Sequence, residues 1–316
     1  MNICIKSNEY TIIDNIWENV YSKIYKVLNK KNNIYYTIKI ISITHLREEE
    51  IEYIQNEINI LSNINNEHII KYIDSFTDNN NIYILMEYND GSYLNEFIKN
   101  YKDKNILIDE NILYNIILDL CLGIKEIHEN NLIHRDLKPK NIFITKNNKV
   151  KIINFGISKK LDNKYKYNLI GTNNYMAPEM LKGEKYSNKV DIWALGCIIY
   201  ELFTLNICFQ DENIFGIINK IINEKHGKIN INKYNDKWQN FIDLLLKKED
   251  KERPDINEIY EYLRKQIKNN SNNNLNVINE NNLEMKKNIK DKVSNNYKEV
   301  ESIKIRKELS YEEIKK

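Results

Sequence analysis

The sequence of 316 residues predicts an α+β, bilobal fold, with a small β-rich lobe followed by a larger, mainly α-helical lobe. Three observations indicate this arrangement. Residues 10–87 consist of β-branched and aromatic runs separated by Asn-rich turns, which is typical of strands. One amphipathic helix interrupts these runs, and from Gly91 onward the apolar runs become long and helical. A cleft between two such lobes is a common place for a ligand.

The small lobe is expected to contain strands in the order strands, helix, strands. The strand candidates are TIIDNIW, YSKIYKVLN, NIYYTIKII, IIKYIDSFTD and NIYILMEY. Between the third and the fourth, HLREEEIEYIQNEINILSNI places Ile51, Ile54, Ile58 and Leu61 at spacings of three and four. This spacing predicts a helix with one apolar face.

The large lobe is predicted from long apolar segments such as NILYNIILDLCLGIKEIHENN, KVDIWALGCIIYELFT and KWQNFIDLLLKKED. We expect one domain over residues 1–267, with its lobes at about 10–87 and about 91–267. Residues 268–316 are an Asn-rich linker followed by a charged tail, so we expect them to be disordered or weakly helical.

Composition narrows the functional classes. The formal net charge is only +2, which gives no indication of a nucleic-acid partner. The four cysteines, Cys4, Cys121, Cys197 and Cys208, have neither metal-ligand nor redox spacing, and this predicts free thiols in a reducing compartment. Neither a long apolar run nor a signal-peptide core is present, so we expect no membrane partner and a cytoplasmic protein, with the nucleus as a second location.

Four stretches in one order resemble the eukaryotic protein kinase family over roughly residues 10–267: YTIK with the helix after it, IHRDLKPKNIFI, NFG to GTNNYMAPE, and DIWALGC. A charged loop after a helix is the simpler interpretation of the second stretch, but it does not explain the spacing of Asp136, Lys138 and Asn141. The resemblance implies that Asp136 accepts the proton of the substrate hydroxyl, Lys138 steadies the transferring phosphate and Asn141 holds a metal. Lys138 is typical of Ser/Thr rather than Tyr kinases.

The resemblance also assigns residues outside this loop. Lys39 would grip the α- and β-phosphates and Glu57 would hold that lysine, although each alone has a structural explanation. Thr172 would contact the catalytic aspartate and lysine. The other predicted nucleotide-binding residues are Ile24, Thr37, Met86 at the gatekeeper position, Glu87 and Asn89 in the hinge, and Phe143.

Two more residues receive structural roles from the resemblance. Glu179 would form a buried ion pair with Arg253, and Asp191 would anchor the backbone of the catalytic loop. Within the family, LKPKNIFIT, NFGISKKL and SNKVDIWALGCIIYELFTL are most similar to NIMA-related Ser/Thr kinases.

The chain departs from the family pattern in the loop that covers the phosphates. Trp17, Asn19 and Ser22 stand where the family has three glycines, and no glycine precedes Gly91. Glycines there allow backbone N–H groups to approach the phosphates. Asn19 tolerates left-handed geometry, whereas Trp17 adds bulk at the rim. We therefore expect weakened phosphate binding.

A second departure is Asn154, which stands where the family has an aspartate that binds the metal. Mg²⁺ favours carboxylate oxygens, and an amide oxygen is only a neutral ligand. The predicted cofactors are ATP and Mg²⁺ or Mn²⁺, held by Asn141 and Asn154, with metal binding weakened by Asn154. A third departure concerns control, because Asn168 replaces the usual Ser or Thr before GT and leaves Arg135 without a predicted phosphate partner.

Two functions follow from these residues. The first is a Ser/Thr protein kinase that transfers the γ-phosphate of ATP to protein hydroxyls, with impaired or metal-unusual activity and a protein substrate as its partner. The second is a nucleotide-binding pseudokinase that acts as a scaffold or allosteric partner. A purely structural α/β protein explains none of the motif order. The sequence predicts neither the substrate nor the oligomeric state.

Overall fold

A computed structural model of the chain describes residues 9–18, 22–78, 80–155, 159–160, 173–230 and 232–265. The chain divides into two units, Met1–Tyr260 and Glu261–Lys316. In the second unit the described residues, 261–265, are helical. On this short stretch, Nη1 of Arg264 lies 3.6 Å from Oε1 of Glu261. The predicted domain boundary at residue 267 remains a prediction.

The first unit begins with a five-stranded antiparallel sheet in the order β1-β2-β3-β5-β4. Its elements are β1 (Tyr10–Glu18), β2 (Ser22–Asn29), β3 (Tyr35–Ser42), α1 (Glu48–Asn63), β4 (Tyr72–Asp78) and β5 (Asn81–Glu87). The predicted order of strands, helix and strands is confirmed. Helix α1 buries Ile54, Ile60 and Leu61 together with Glu57, so a carboxylate lies on its apolar face.

The region after the sheet is mainly helical. Its elements are β6 (Gly91–Tyr93), α2 (Leu94–Asp103), α3 (Glu110–Glu129), β7 (Leu132–Ile133), β8 (Ile142–Thr145), β9 (Val150–Ile152), β10 (Lys159–Lys160), α4 (Pro178–Leu181), α5 (Lys189–Thr204), α6 (Ile214–Asn223) and α7 (Lys237–Leu245). The short strands form a β6-β8-β9 sheet and a β7-β10 pair. The α+β class of a β-rich region followed by a helical one is thus confirmed.

Helices α3 and α5 form the centre of the helical region. Helix α3 begins at Asp109, whose side chain accepts a hydrogen bond from the backbone N–H of Asn111 at 2.9 Å and caps the helix. Helix α5 is buried on nearly all sides, which agrees with an apolar sequence that shows no single apolar stripe. Among the described residues, no helix combines the length and the apolar character needed to cross a membrane.

Asparagine supplies most of the left-handed backbone positions among the described residues of this glycine-poor chain. Of the eight non-glycine residues with positive φ in the described ranges, six are asparagines: Asn33, Asn80, Asn105, Asn131, Asn148 and Asn154. Asparagine tolerates this conformation better than most residues because its short side chain can hydrogen-bond locally. The other two residues are Arg135 and Leu205.

Candidate active site

A cleft of about 600 Å³ lies between the five-stranded sheet and the loops of the helical region. Most of the predicted site residues line it: Ile24, Thr37, Lys39, Glu57, Met86, Glu87, Asn89, Lys138, Asn141, Phe143 and Asn154. Asp136 is not one of these lining residues, but its carboxylate is hydrogen-bonded to two of them, Lys138 and Asn141. Thr172, the remaining predicted catalytic residue, lies outside the described residues.

Three side chains on neighbouring strands of the five-stranded sheet line one side of the cleft. Trp17 on β1 is paired with Ile24 on β2, and Ile24 is paired with Lys39 on β3. Directly opposed residues in antiparallel strands place their side chains on the same face of the sheet. All three line the cleft, and Trp17 is 44% exposed. An indole therefore occupies the rim where the family resemblance predicts a glycine.

Lys39 and Glu57 form an ion pair inside the cleft. The Nζ of Lys39 donates to the Oε2 of Glu57 at 2.7 Å, and both side chains are largely buried. The pair connects β3 to α1, so the lysine is held by an element that is distant from it in sequence. The predicted contact is present, and the role of the two residues in phosphate binding remains a prediction.

The predicted hinge residues Glu87 and Asn89 differ in their hydrogen-bond partners. The Glu87 carboxylate accepts a hydrogen bond from the backbone N–H of Lys71 at 2.9 Å and pairs with Lys151 at 2.6 Å. The Nδ2 of Asn89 is buried without a hydrogen-bond partner in the part of the chain that the structure describes. A buried donor without a partner costs about 1–3 kcal/mol.

The catalytic-loop candidates form a compact hydrogen-bonded group. Lys138 Nζ donates to Oδ1 of Asp136 at 2.7 Å, and Asn141 Nδ2 donates to Oδ2 of Asp136 at 2.7 Å. The same Asn141 nitrogen donates to the backbone carbonyl of Asp136 at 2.7 Å. The turn Pro139–Asn141 brings these side chains together. Each carboxylate oxygen of Asp136 therefore accepts a hydrogen bond.

Asp191 anchors this loop, as the sequence predicts. Its carboxylate accepts hydrogen bonds from the backbone N–H groups of His134 and Arg135, each at 2.9 Å, and lies 2.9 Å from Nε2 of His128. Burial alone would raise the pKa of Asp191, but the hydrogen bond to His128, the nearby His134 and the backbone N–H of Arg135 lower it overall. The group therefore stays ionised, and it holds Arg135 in a left-handed backbone conformation with φ 69°.

The segment that contains Asn154 and Phe155 is packed against His134. Phe155 is fully buried, and its ring contacts the ring of His134 edge to face with centroids 5.0 Å apart. Asn154 has φ 68° and is exposed to the cleft. Its Nδ2 donates to the Oδ1 of Asn141 at 3.1 Å. The two amides predicted to hold a metal are therefore bonded to each other.

These residues fit a nucleotide better than they fit a divalent cation. Lys39 and Lys138 both line the cleft, and their ammonium groups suit a phosphate-bearing ligand. A magnesium ion favours carboxylate oxygens. Within the described ranges, no group of three or more His, Cys, Asp or Glu side chains is arranged to hold a metal ion. The amide oxygen of Asn141 already accepts a hydrogen bond from Asn154. A metal held by the protein does not fit this donor set.

Several residues near the site were not predicted from the sequence. Tyr93 and Lys140 line the cleft, and only Lys140 had a sequence signal, since it lies inside LKPKN. The Nη1 of Arg135 donates to the hydroxyl of Tyr186 at 3.2 Å. Asn19, Asn168 and most of the segment up to Thr172 lie outside the described residues.

The predicted ion pair below the site is confirmed. Arg253 is fully buried and donates through two nitrogens to the two carboxylate oxygens of Glu179 at 2.7 and 2.8 Å. Cys121 and Cys197 are buried free thiols, as expected. Burial raises the pKa of the Cys121 thiol, so this group is chemically inert.

Comparison with known proteins gives consistent results. A family profile described as the protein kinase domain matches residues 10–263. The chain is 32% identical over 255 residues to serine/threonine-protein kinase Nek1 of Mus musculus, covering 80% of this chain and 21% of that protein. It is 35% identical over 229 residues to serine/threonine-protein kinase nekl-2 of Caenorhabditis elegans, covering 70% and 64% respectively.

A third relative is the probable serine/threonine-protein kinase nek2 of Dictyostelium discoideum. It is 30% identical over 261 residues, which cover 81% of this chain and 62% of that protein. The match therefore spans less than two thirds of the length of each of these relatives.

Proposed function

From the premise that this chain belongs to the protein kinase family, and resembles its NIMA-related Ser/Thr members, we propose that it transfers the γ-phosphate of ATP to protein hydroxyls at a reduced rate. Protein kinases generally use ATP and a divalent metal and act on protein substrates. The proposal concerns the catalytic region only.

The observation that carries the proposal is the presence of two ion pairs whose lysines line one cleft. Lys39 and Glu57 are joined at 2.7 Å, and Lys138 and Asp136 are joined at 2.7 Å. Phosphoryl transfer depends mainly on positioning and electrostatic stabilisation, with little covalent chemistry for the protein. A cleft that retains both pairs therefore keeps most of what the reaction needs.

Each residue has a role in this proposal. Lys39 binds the α- and β-phosphates and is kept in place by Glu57. Asp136 orients the substrate hydroxyl and accepts its proton, and Lys138 neutralises charge on the transferring group. Asn141 keeps the Asp136 side chain aligned through its hydrogen bond. The missing carboxylate at Asn154 removes one preorganised electrostatic contact, and such a loss typically lowers a rate by about 10²–10³-fold.

A nucleotide-binding pseudokinase is the second candidate. It is favoured by one observation, the hydrogen bond between the amides of Asn154 and Asn141. A site whose metal-facing groups satisfy each other can bind a nucleotide without efficient transfer. Nucleotide binding would then select one conformation of the chain for a protein partner.

Transfer of radiolabelled phosphate to a generic protein substrate separates the two candidates. The wild type is assayed with Mg²⁺ and then with Mn²⁺, beside Asp136→Ala. We expect the wild type to exceed Asp136→Ala by about 10²–10⁴-fold, the usual contribution of a general base. Thermal unfolding of the variant checks that its fold is intact. Equal rates for the two proteins with both metals would overturn the kinase proposal and leave the pseudokinase.

A further inference from the structure

At the corner of the cleft where the family resemblance predicts a metal, two amides and a carboxylate are joined by hydrogen bonds. Asn154 donates to Asn141 at 3.1 Å, and Asn141 donates to Asp136 at 2.7 Å. We infer that this chain binds nucleoside triphosphates without a divalent cation, with the Asn154 amide donating directly to a phosphate oxygen. The inference rests on the nucleotide binding proposed above and is independent of turnover.

The first argument is the change from acceptor to donor at Asn154. An ionised aspartate only accepts hydrogen bonds, so it repels a phosphate unless a cation lies between them. An asparagine amide has two N–H donors. One of them is used by Asn141, and no other hydrogen bond of this amide is formed with the residues that the structure describes. Because Asn154 is exposed to the cleft, the second donor can reach a ligand.

The second argument is the cost of placing a cation in this corner. A divalent ion that used Asn141 Oδ1 would have to break its hydrogen bond to Asn154, and it would gain only neutral amide oxygens. The neighbouring carboxylate, Asp136, already uses Oδ1 for Lys138 and Oδ2 for Asn141. A cation would therefore have to displace bonds that are already formed.

The third argument concerns the positive charge that phosphates need. Lys39, Lys138 and Lys140 all line the cleft. Lys39 and Lys138 are held at 2.7 Å from Glu57 and Asp136, so both ammonium groups have fixed positions before a ligand arrives. Replacing a carboxylate by an amide at position 154 also removes one negative charge beside these lysines. Fixed ammonium groups can thus compensate phosphate charge where the family uses a metal.

Backbone geometry makes a clean variant available. Asn154 has φ 68°, a conformation that aspartate also tolerates. Asn154→Asp therefore adds a negative charge and removes the two N–H donors of the side chain, while its size and shape remain nearly the same. Asn148 has φ 58°, is exposed in the turn between β8 and β9, and is not part of the cleft wall. Asn148→Asp is the matched control for the same change of charge.

The test is calorimetric titration of the full chain with ATP, first with EDTA and then with excess Mg²⁺. We expect the two dissociation constants of the wild type to agree within about threefold, a difference of less than 1 kcal/mol. Binding at least about tenfold weaker in EDTA than in Mg²⁺ would overturn the inference.

The same titration is then repeated with the variants. Asn154→Asp is expected to bind ATP in EDTA about tenfold or more weakly than the wild type, because a carboxylate now faces the phosphates, and Mg²⁺ is expected to restore binding. Asn148→Asp is expected to match the wild type in both buffers. Unchanged binding of Asn154→Asp in EDTA would contradict the inference. If this variant does not fold, the wild-type comparison alone still decides.

The outcomes separate this inference from the proposed function. Binding in EDTA without phosphate transfer would support the inference and remove the kinase proposal. Binding that requires Mg²⁺, together with transfer, would overturn the inference alone. The absence of ATP binding in both buffers would overturn both.

Discussion

Arg135 in the predicted catalytic loop and Asn154 at the predicted metal-binding position adopt the same left-handed backbone, with φ 69° and φ 68°. Their surroundings differ. Arg135 is held by the buried carboxylate of Asp191, which accepts two backbone hydrogen bonds and contacts His128. Asn154 is held by a neutral amide, Asn141. The two regions share their geometry and differ in charge.

This difference separates what fixes the backbone shape of the site from what fixes its charge. Backbone shape at Asn154 persists because asparagine tolerates it and because Phe155 is packed against His134. The negative charge at this position depends on a single side-chain atom, because a carboxylate oxygen carries it and the amide nitrogen of Asn154 does not. Packing of the neighbouring residues cannot replace that charge. The backbone shape of a site and its charge are therefore set by different features of the chain, and one can be present without the other.

The largest effect is expected from removing the charge on the catalytic-loop side. In Asp191→Asn, the amide cannot accept hydrogen bonds from His134, Arg135 and His128 as strongly as the carboxylate does. Hydrogen bonds to a buried charged group contribute about 1.5–3 kcal/mol each. We expect the free energy of unfolding to fall by about 2–3 kcal/mol and transfer to approach that of Asp136→Ala. Urea unfolding and the transfer assay measure the two effects.

Asp103→Asn is the control for this variant, because Asp103 is an exposed residue at the end of α2. It should change neither quantity. If Asp191→Asn unfolds like the wild type, the buried charge is not what holds the loop, and the comparison between the two regions fails.

An intermediate effect is expected at the pair that connects β3 to α1. Glu57→Gln keeps the shape of the side chain and removes the charge that fixes Lys39 at 2.7 Å. We expect ATP binding to weaken by about tenfold, since a charge-assisted hydrogen bond is replaced by a neutral one. Glu52→Gln, at an exposed position on the same helix, is the matched control. Titration with ATP measures both, and equal affinities would show that Lys39 needs no charged partner.

The smallest effect is expected at the rim of the cleft. Of the three tryptophans, Trp193 and Trp238 are buried, whereas Trp17 is 44% exposed and lines the cleft. Adding ATP should therefore change the emission of Trp17, and Trp17→Phe should lose this signal while its affinity changes by less than about threefold. If the change in emission comes from Trp17, Trp238→Phe should still show it when ATP is added. A signal that persists in Trp17→Phe would place the nucleotide elsewhere.

Sequence patterns predicted the order of elements, whereas two ion pairs were predicted from the resemblance to protein kinases. The ion pairs of Lys39 with Glu57 and of Glu179 with Arg253 are both present. Periodicity identified α1 because its apolar residues recur at helical spacing, and the α+β class followed from the change of pattern near Gly91.

Other features of the site could not be predicted from the sequence. The bond between Asn154 and Asn141 depends on side-chain rotamers and on two segments that meet only in the folded chain. The contact of Arg135 with Tyr186 joins residues 51 positions apart and matches no charge pattern. The orphaned donor of Asn89 is recognisable only once its burial is known.

The most direct test of this account is the initial rate of phosphate transfer by Asn154→Asp beside the wild type in Mg²⁺. If shape is preserved and one charge is missing, restoring the carboxylate should raise the rate by about 10²–10³-fold, with Asn148→Asp unchanged. An Asn154→Asp protein that folds and binds MgATP but transfers no faster than the wild type would contradict the claim that a single charge separates this site from an efficient one.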